Sequence, residues 1–233
     1  MGALTRIASG TMTHRDVALV GGMLGAAIAI LGTLGALDSF VTPLPIFDLD
    51  REVGALALIY GESGFNLFAA FSAGVLLCAS VAALALRRTD AGSAGAKGLW
   101  GLLAGLFAFM SLDELFALHE YVEIWMDTDW QLLYLPLILA AGYVWVRALQ
   151  LILARNRTVG LAWIGGAACW LSAQLLEALF WNTSLQHRAV EGWLVIGEEI
   201  LEVSGSSLFL VAMLLLLGDP GGDRSRIESP AGR

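Results

Sequence analysis

Six long apolar segments dominate this sequence, each about 20 residues in length, which is what a helix needs to cross the hydrocarbon core of a bilayer. Hydrophobic residues make up 58% of the chain and charged residues only 15%, so the composition departs from that of a soluble domain. The sequence therefore predicts an all-α, polytopic transmembrane helix bundle that forms a single domain over residues 1–217. The six predicted spans lie near 17–37, 65–86, 98–118, 132–153, 160–181 and 193–217.

Two further segments fall outside these spans. Residues 50–60 precede the second apolar segment and are separated from it by Gly61 and Gly64, so we expect them to form a short interfacial helix. Residues 218–233 are rich in Gly, Pro, Ser and charged residues, a composition typical of a disordered tail. The first apolar segment is longer than the core of a signal peptide, which favours an uncleaved span.

Basic residues indicate the orientation, because Lys and Arg favour the cytoplasmic side of a membrane. With both termini in the cytoplasm, all of the 13 Lys and Arg residues except Arg51 and Arg188 fall in cytoplasmic segments or at cytoplasmic helix ends. Arg147 lies within the fourth span toward its inner end, where we expect its long side chain to reach the interface. The sequence thus predicts a multi-pass protein of the cytoplasmic (inner) membrane, with the lipid bilayer as its surroundings.

Charge and cysteine content exclude several classes of function. The net charge of −8 and the lack of a clustered basic face argue against a nucleic-acid partner. Cys78 and Cys169 both lie in apolar segments without a neighbouring cysteine, so we expect neither a disulfide framework nor a Cys-x-x-Cys metal site. A serine hydrolase is a poor fit because no Gly-x-Ser-x-Gly elbow occurs. Whether the protein is an enzyme stays open.

Acidic side chains within or beside the spans are the informative residues, because carboxylates in hydrocarbon are costly and rare. With the predicted topology, seven of them on four spans fall in the outer third of the bundle. These are Glu62 on the second span, Asp113 and Glu114 on the third, Glu177 on the fifth, and Glu198, Glu199 and Glu202 on the sixth.

Other polar residues accompany these acids at helical spacing. Asn66 lies one turn after Glu62, and Gln174 one turn before Glu177. Glu120 is seven residues after Asp113, so we expect both on one face of the third span, which His119 closes.

Positive charge is scarce around this predicted cluster, and seven ionised carboxylates in a low dielectric would repel strongly. The acids could be protonated and hydrogen-bonded to Asn66, Gln174, Ser206 or one another. They could instead open to water and carry protons or cations, or be neutralised by metal ions. We favour a site that binds protons or a divalent cation such as Mn²⁺, Fe²⁺, Ca²⁺ or Zn²⁺.

The metal form of this hypothesis has a defined set of ligands. They are Asp113, Glu114, His119, Glu120, Glu198, Glu199 and Glu202, with Glu62, Asn66, Gln174 and Glu177 expected to orient them. The Glu-x-x-His pairs of di-iron bundles are missing, because Ala117 and Glu202 stand three residues after Glu114 and Glu199.

Two alternatives use the same residues differently. A small proton- or cation-coupled transporter would need intramembrane acids, although the sequence lacks the internal repeats common in transporters. A non-catalytic accessory or assembly subunit of a larger membrane complex would use the polar residues to clamp the bundle or to dock other membrane subunits.

Most of these acids lie in three segments, which are SLDELFALHE at 111–120, EEILEVSGSSLFL at 198–210 and ESGFNLFAAFSAGVLL at 62–77. Together these segments resemble a family of uncharacterised multi-pass proteins of bacteria and archaea. That family has an LDE…HE helix, a Glu-Glu…Glu…Gly helix, and an acid followed by Asn-Leu-Pro-Thr and Phe-Ser. The matching positions are Asp113, Glu114, His119, Glu120, Glu198, Glu199, Glu202, Gly205, Glu62, Asn66, Phe71 and Ser72.

The resemblance covers three of the six predicted spans. Phe68 and Ala69 stand where the family has Pro-Thr, so a proline kink is not carried over. No activity is established for the family. The resemblance therefore implies that the acids form one site, and it implies no substrate.

Overall fold

The computed structural model describes residues 13–40, 67–90, 92–126, 130–182 and 188–218, and every regular element within these ranges is a helix. The helices are α1 (His14–Phe40), α2 (Leu67–Thr89), α3 (Ala94–Phe116), α4 (Leu118–Met126), α5 (Trp130–Arg155), α6 (Arg157–Asn182) and α7 (Arg188–Gly218). Six of these described helices, all except α4, are long and apolar enough to cross a membrane. Within the described ranges, the prediction of an all-α fold with six helices able to cross a membrane is therefore confirmed, and such helices suggest a lipid bilayer as the environment.

Some predictions fall outside the described residues. They concern the interfacial helix near 50–60, the acid and amide Glu62 and Asn66, and the tail from residue 219 onward. The backbone of Glu120 belongs to α4, but its side chain lies outside the description too.

The last helix, α7, is the centre of the bundle. It is the most buried of the six spans and packs against α6, α2 and α1. The least buried spans are α1, which packs mainly against α7, and α5, which packs against α6 and α3. The core therefore lies among α2, α3, α6 and α7, and α5 borders it from one side.

Aromatic rings fill the middle of this core. Trp163 on α6 is fully buried, and its ring centroid lies 4.9 Å from that of Phe209 on α7 and 6.1 Å from that of Phe107 on α3. Phe107 and Phe209 also meet, with their ring centroids 5.6 Å apart. These contacts join three helices, and such packing is what holds helices together where lipid removes the hydrophobic difference between inside and outside.

Buried serine side chains link the helices by hydrogen bonds. The hydroxyl groups of Ser72 on α2 and Ser206 on α7 lie 3.0 Å apart, and Ser111 on α3 donates to the carbonyl oxygen of Ala73 at 2.8 Å. Such bonds between transmembrane helices contribute about 0.6 kcal/mol each. They fix α2 relative to both α3 and α7.

Two glycines let α6 and α7 approach closely. A Cβ atom added at Gly205 would lie 2.8 Å from the carbonyl oxygen of Gly166 and would overlap the ring of Trp170. The indole Nε1 of Trp170 donates to Ser206 Oγ at 3.3 Å beside this crossing. The backbones of α6 and α7 therefore meet at Gly166 and Gly205, less than one turn from the position of Glu202 on α7.

Candidate functional site

The third span ends at a left-handed residue, which redirects the chain near the predicted site. Ala117 has φ 49° and ψ 47°, and its N–H donates to the carbonyl oxygen of Asp113, which closes α3 before α4 begins at Leu118. The prediction that Asp113 and Glu120 share one face of a continuous helix is therefore wrong, because the helical register does not continue through Ala117.

The turn at Ala117 brings His119 back onto the end of α3. His119 Nδ1 lies 2.8 Å from Asp113 Oδ2, and the two side chains are 22% and 15% exposed. The hydroxyl of Tyr134 on α5 donates to the other carboxylate oxygen, Asp113 Oδ1, at 3.3 Å. Asp113 thus joins α3, α4 and α5 at one end of the bundle.

A second carboxylate at this end also has a donor from α5. Gln131 Nε2 lies 3.5 Å from Glu177 Oε2 on α6. Gln131 and Tyr134 are three residues apart, so they lie on one side of the first turns of α5. The beginning of α5 therefore contacts an acid of α6 and an acid of α3.

A third acid, Glu202, is partly buried on α7. Its carboxylate interacts electrostatically with four others, those of Glu114, Glu199, Glu198 and Glu177. These residues come from α3, α6 and α7, and the repulsion between like charges acts across helices as well as within one. Together with Asp113, acids from three spans lie at the same end of the bundle.

Lys and Arg are scarce in the chain segments that carry these acids, and α7 has only Arg188, its first residue. Neither residue type occurs in residues 98–146, 158–187 or 189–223. His119 is the one ionisable base in the part of α3 and α4 that lies next to Asp113. The local balance of charge is therefore strongly negative.

The remaining predicted site residues have different surroundings. Gln174 is partly buried on α6, one turn before Glu177. Ser206, predicted as a hydrogen-bond partner of the acids, contacts Ser72 and Trp170. Among the residues that the structure describes, no group of three or more His, Cys, Asp or Glu side chains is arranged to hold a metal ion.

Sequence reasoning missed the two donors on α5. Gln131 and Tyr134 stand at the start of the fourth span, where polar residues are common at the membrane interface. Their spacing of three residues was the available signal, since it places both on one helical face. Their partners could be identified only from the packing of α5 against α3 and α6.

Sequence reasoning also missed a polar cluster at the opposite end of the bundle, centred on Asp90 after α2. Asp90 Oδ2 accepts from Trp100 Nε1 on α3 and from the guanidinium of Arg155 on α5, both at 2.7 Å, and Oδ1 accepts from the N–H of Gly92 at 2.8 Å. Burial would raise the pKa of Asp90, but the bonds from Trp100, Arg155 and Gly92 and the charge of Arg155 together hold that pKa below its ordinary value.

Comparison with known proteins places the chain in a family without placing it near a protein of known activity. No curated protein and no solved structure matches it. A family model described as "Domain of unknown function (DUF8692)" matches residues 17–217, which include nearly all of the six described spans. The expectation of an uncharacterised family is confirmed at this level, while the separate motifs and the bacterial and archaeal origin stay predictions. With most of its length matched, the chain belongs to the DUF8692 family of unknown function.

Proposed function

We propose that Glu114, Glu177, Glu198, Glu199 and Glu202 form one acidic site within the membrane, and that this site binds positive charge as protons or as a divalent cation. The observation that carries the proposal is the electrostatic interaction of Glu202 with the other four carboxylates. The name "acidic site" refers below to these five residues.

Repulsion between the carboxylates of the acidic site is the physical reason why the site would bind positive charge. Two unit charges about 5 Å apart repel by about 3 kcal/mol even at an effective dielectric of about 20. Residues 98–146 and 158–223, which carry the acids, contain a single basic residue of the Lys and Arg type, Arg188 at the start of α7. Binding of one or more positive charges relieves it, so the site has a strong electrostatic preference for the occupied state.

Hydrogen-bonding side chains beside the acidic site support the proposal, because they hold carboxylates of this end of the bundle in place. Gln131 contacts Glu177, and Tyr134 and His119 contact Asp113. A carboxylate that accepts fixed hydrogen bonds has fewer orientations available, which lowers the cost of arranging it around a bound charge. In this proposal Asp113 orients His119 and Tyr134 beside the acidic site, and Glu202 lies at the centre of the site.

The proton and metal forms differ in the residues they need. Protons require only carboxylates such as those described. A divalent ion such as Mn²⁺, Fe²⁺, Ca²⁺ or Zn²⁺ requires several oxygen or nitrogen ligands at about 2.0–2.6 Å, and in that form Glu120 and His119 complete the set while Glu62 helps to orient it. Substitution of Glu120 therefore separates the two forms.

Infrared difference spectra between acidic and alkaline buffers test the proton form. We expect the carbonyl-stretch band of protonated carboxyl groups in the wild-type protein and a weaker band in Glu202→Gln. Asp16→Asn is the matched control, because Asp16 lies at the start of α1 and outside the acidic site. An equal band in Glu202→Gln would contradict a protonated Glu202.

The metal content of the protein purified in mild detergent without chelator tests the other form. A stoichiometric amount of one metal, lost in Glu199→Gln, Glu202→Gln and Glu120→Gln, would establish a divalent-cation site. If the protein contains no metal and its infrared band does not depend on Glu202, the proposed function is wrong in both forms.

We also propose the orientation that the basic residues predict. The ends of α2 and α5 and the start of α6 carry Arg87, Arg88, Arg155 and Arg157, and the contact between Asp90 and Arg155 supports a common location for the ends of α2 and α5. Since basic residues favour the cytoplasm, this end faces inward and the acidic site faces outward across the cytoplasmic (inner) membrane. Both termini are then cytoplasmic.

A further inference from the structure

Tyr143 occupies an unusual place on α5. It lies midway along the span Gln131–Arg155, and 69% of the residue is exposed. Tyrosines of membrane proteins concentrate at the two interfaces, where the hydroxyl reaches water and the ring reaches lipid. A phenol that faces away from the bundle at mid-depth would place a hydrogen-bonding group in hydrocarbon, which is costly.

Tyr143 belongs to a stripe of large exposed side chains that runs the length of α5. Successive members are three or four residues apart, which is the spacing of a seam between two packed helices. The stripe consists of Leu132, Leu135, Leu139, Tyr143, Val146, Gln150 and Leu153. The name "α5 stripe" refers to these residues.

We propose that the α5 stripe is the contact surface between two copies of this chain, with the two α5 helices parallel and related by a twofold axis normal to the membrane. Every copy inserted in the same orientation presents Tyr143 at the same depth. A hydroxyl both donates and accepts hydrogen bonds, so two Tyr143 side chains at a twofold axis satisfy each other. The seam removes both phenols from lipid.

The charged residue beside the stripe is compatible with this arrangement. Arg147 is exposed, and its guanidinium donates to Gln150 Oε1 at 2.9 Å on the same helix. At about 100° per residue, Arg147 is turned by about 40° from Tyr143, on the side away from the other members of the stripe and one turn toward the Arg155 end of the span. The two guanidinium groups therefore lie at one edge of the seam, beside Gln150, and extend toward the interface.

The proposed dimer contact is independent of the acidic site, since the α5 stripe lies on the side of α5 that faces away from the bundle. The start of α5 meets Asp113 and Glu177 through Tyr134 and Gln131, on the side that faces the bundle. Loss of dimerisation and loss of charge binding are therefore separate results.

Disulfide crosslinking of the full chain in lipid vesicles tests the proposal. In a background with Cys78→Ala and Cys169→Ala, we expect Tyr143→Cys to form a crosslinked dimer under mild oxidation. The matched control is Leu171→Cys, because Leu171 is 72% exposed on α6, outside the α5 stripe. We expect this control to remain monomeric. Equal crosslinking at both positions, or none at Tyr143→Cys, would overturn the proposal.

Energy transfer between labelled copies in vesicles measures the same equilibrium without a new cysteine in the seam. We expect the wild type to dimerise and Tyr143→Phe, which removes only the hydroxyl, to weaken dimerisation by about threefold. Leu171→Phe should leave it unchanged. A wild-type protein that stays monomeric as its density in the membrane increases would refute the seam, as would a Tyr143→Phe variant that dimerises as tightly as the wild type.

Discussion

Asp90, which lies outside the acidic site, has hydrogen-bond partners from three parts of the chain. Its side chain is only 5% exposed, and it receives hydrogen bonds from α3, from α5 and from the backbone of the connection that follows α2. The guanidinium of Arg155 also lies 5.8 Å from the centre of the Trp100 ring, within range of a cation–π interaction. Asp90 thus anchors the ends of α2, α3 and α5 to one another.

Asp90→Asn keeps the shape of the side chain and removes its charge. We expect the free energy of unfolding to fall by about 1–3 kcal/mol, because Arg155 loses its anionic partner. Arg155→Gln should cost a similar amount, and the double variant should cost less than the sum of the two. Thermal unfolding in one detergent gives all four values. Strict additivity would contradict the coupling, and Asp16→Asn at the start of α1 serves as a control outside this network.

The pKa of Asp90 sets the pH range of this stabilisation. Because the folded pKa lies below the ordinary value of 3.8, the stabilisation is complete above that value and is lost as the pH falls through the folded pKa. The difference in unfolding temperature between wild type and Asp90→Asn should therefore be constant near neutral pH and shrink only in strongly acidic buffer. A difference that vanishes at about pH 6, well above the ordinary pKa of a carboxyl group, would implicate another group.

At the scale of elements, the end of α3 and the crossing of α6 with α7 fix where the acids lie. Ala117 adopts a left-handed conformation that glycine usually occupies, at a cost of about 1–2 kcal/mol. The bond between His119 and Asp113 across this turn helps to offset that cost. The crossing at Gly166 and Gly205 sets the distance between the helices that carry Glu177 and Glu202.

Gly205→Ala tests the crossing. The new Cβ would press on the backbone oxygen of Gly166, which cannot move without displacing α6, so we expect a loss of about 1–3 kcal/mol in the free energy of unfolding. Gly105→Ala is the matched control, because a Cβ there meets nothing within 4 Å. The control should be neutral or stabilising by up to about 1 kcal/mol. Equal effects would show that α6 and α7 tolerate separation.

At the scale of the whole molecule, the orientation gives a direct prediction. A fluorescent protein fused after residue 233 should fluoresce, and a phosphatase that is active only outside the cytoplasm should be inactive at the same position. The phosphatase fused after Met126, at the end of α4, should be active. The reverse pattern would invert the proposed orientation and place the acidic site toward the cytoplasm.

The number of spans could be predicted from sequence because hydrocarbon admits only long apolar helices with internally bonded backbones. The end of α3 could not, since alanine is a strong helix former and nothing local marks Ala117 as left-handed. The acids could be grouped by depth, but their neighbours Tyr134 and Gln131 depend on how α5 packs. The contacts of Asp90 could not be predicted either, because its partners Trp100 and Arg155 are distant in sequence and meet only in the folded bundle.

The central place of α7 determines when the bundle can assemble during synthesis. Of the six described spans, α1 leaves the ribosome first, and it packs mainly against α7, which leaves last. Until translation reaches the end of α7, α1 has lipid rather than protein along its sides, and α2 and α6 lack a large shared neighbour. A chain that stalls before α7 therefore leaves an unfinished bundle exposed to the proteases of the membrane, whereas completion of the final helix assembles the others around it.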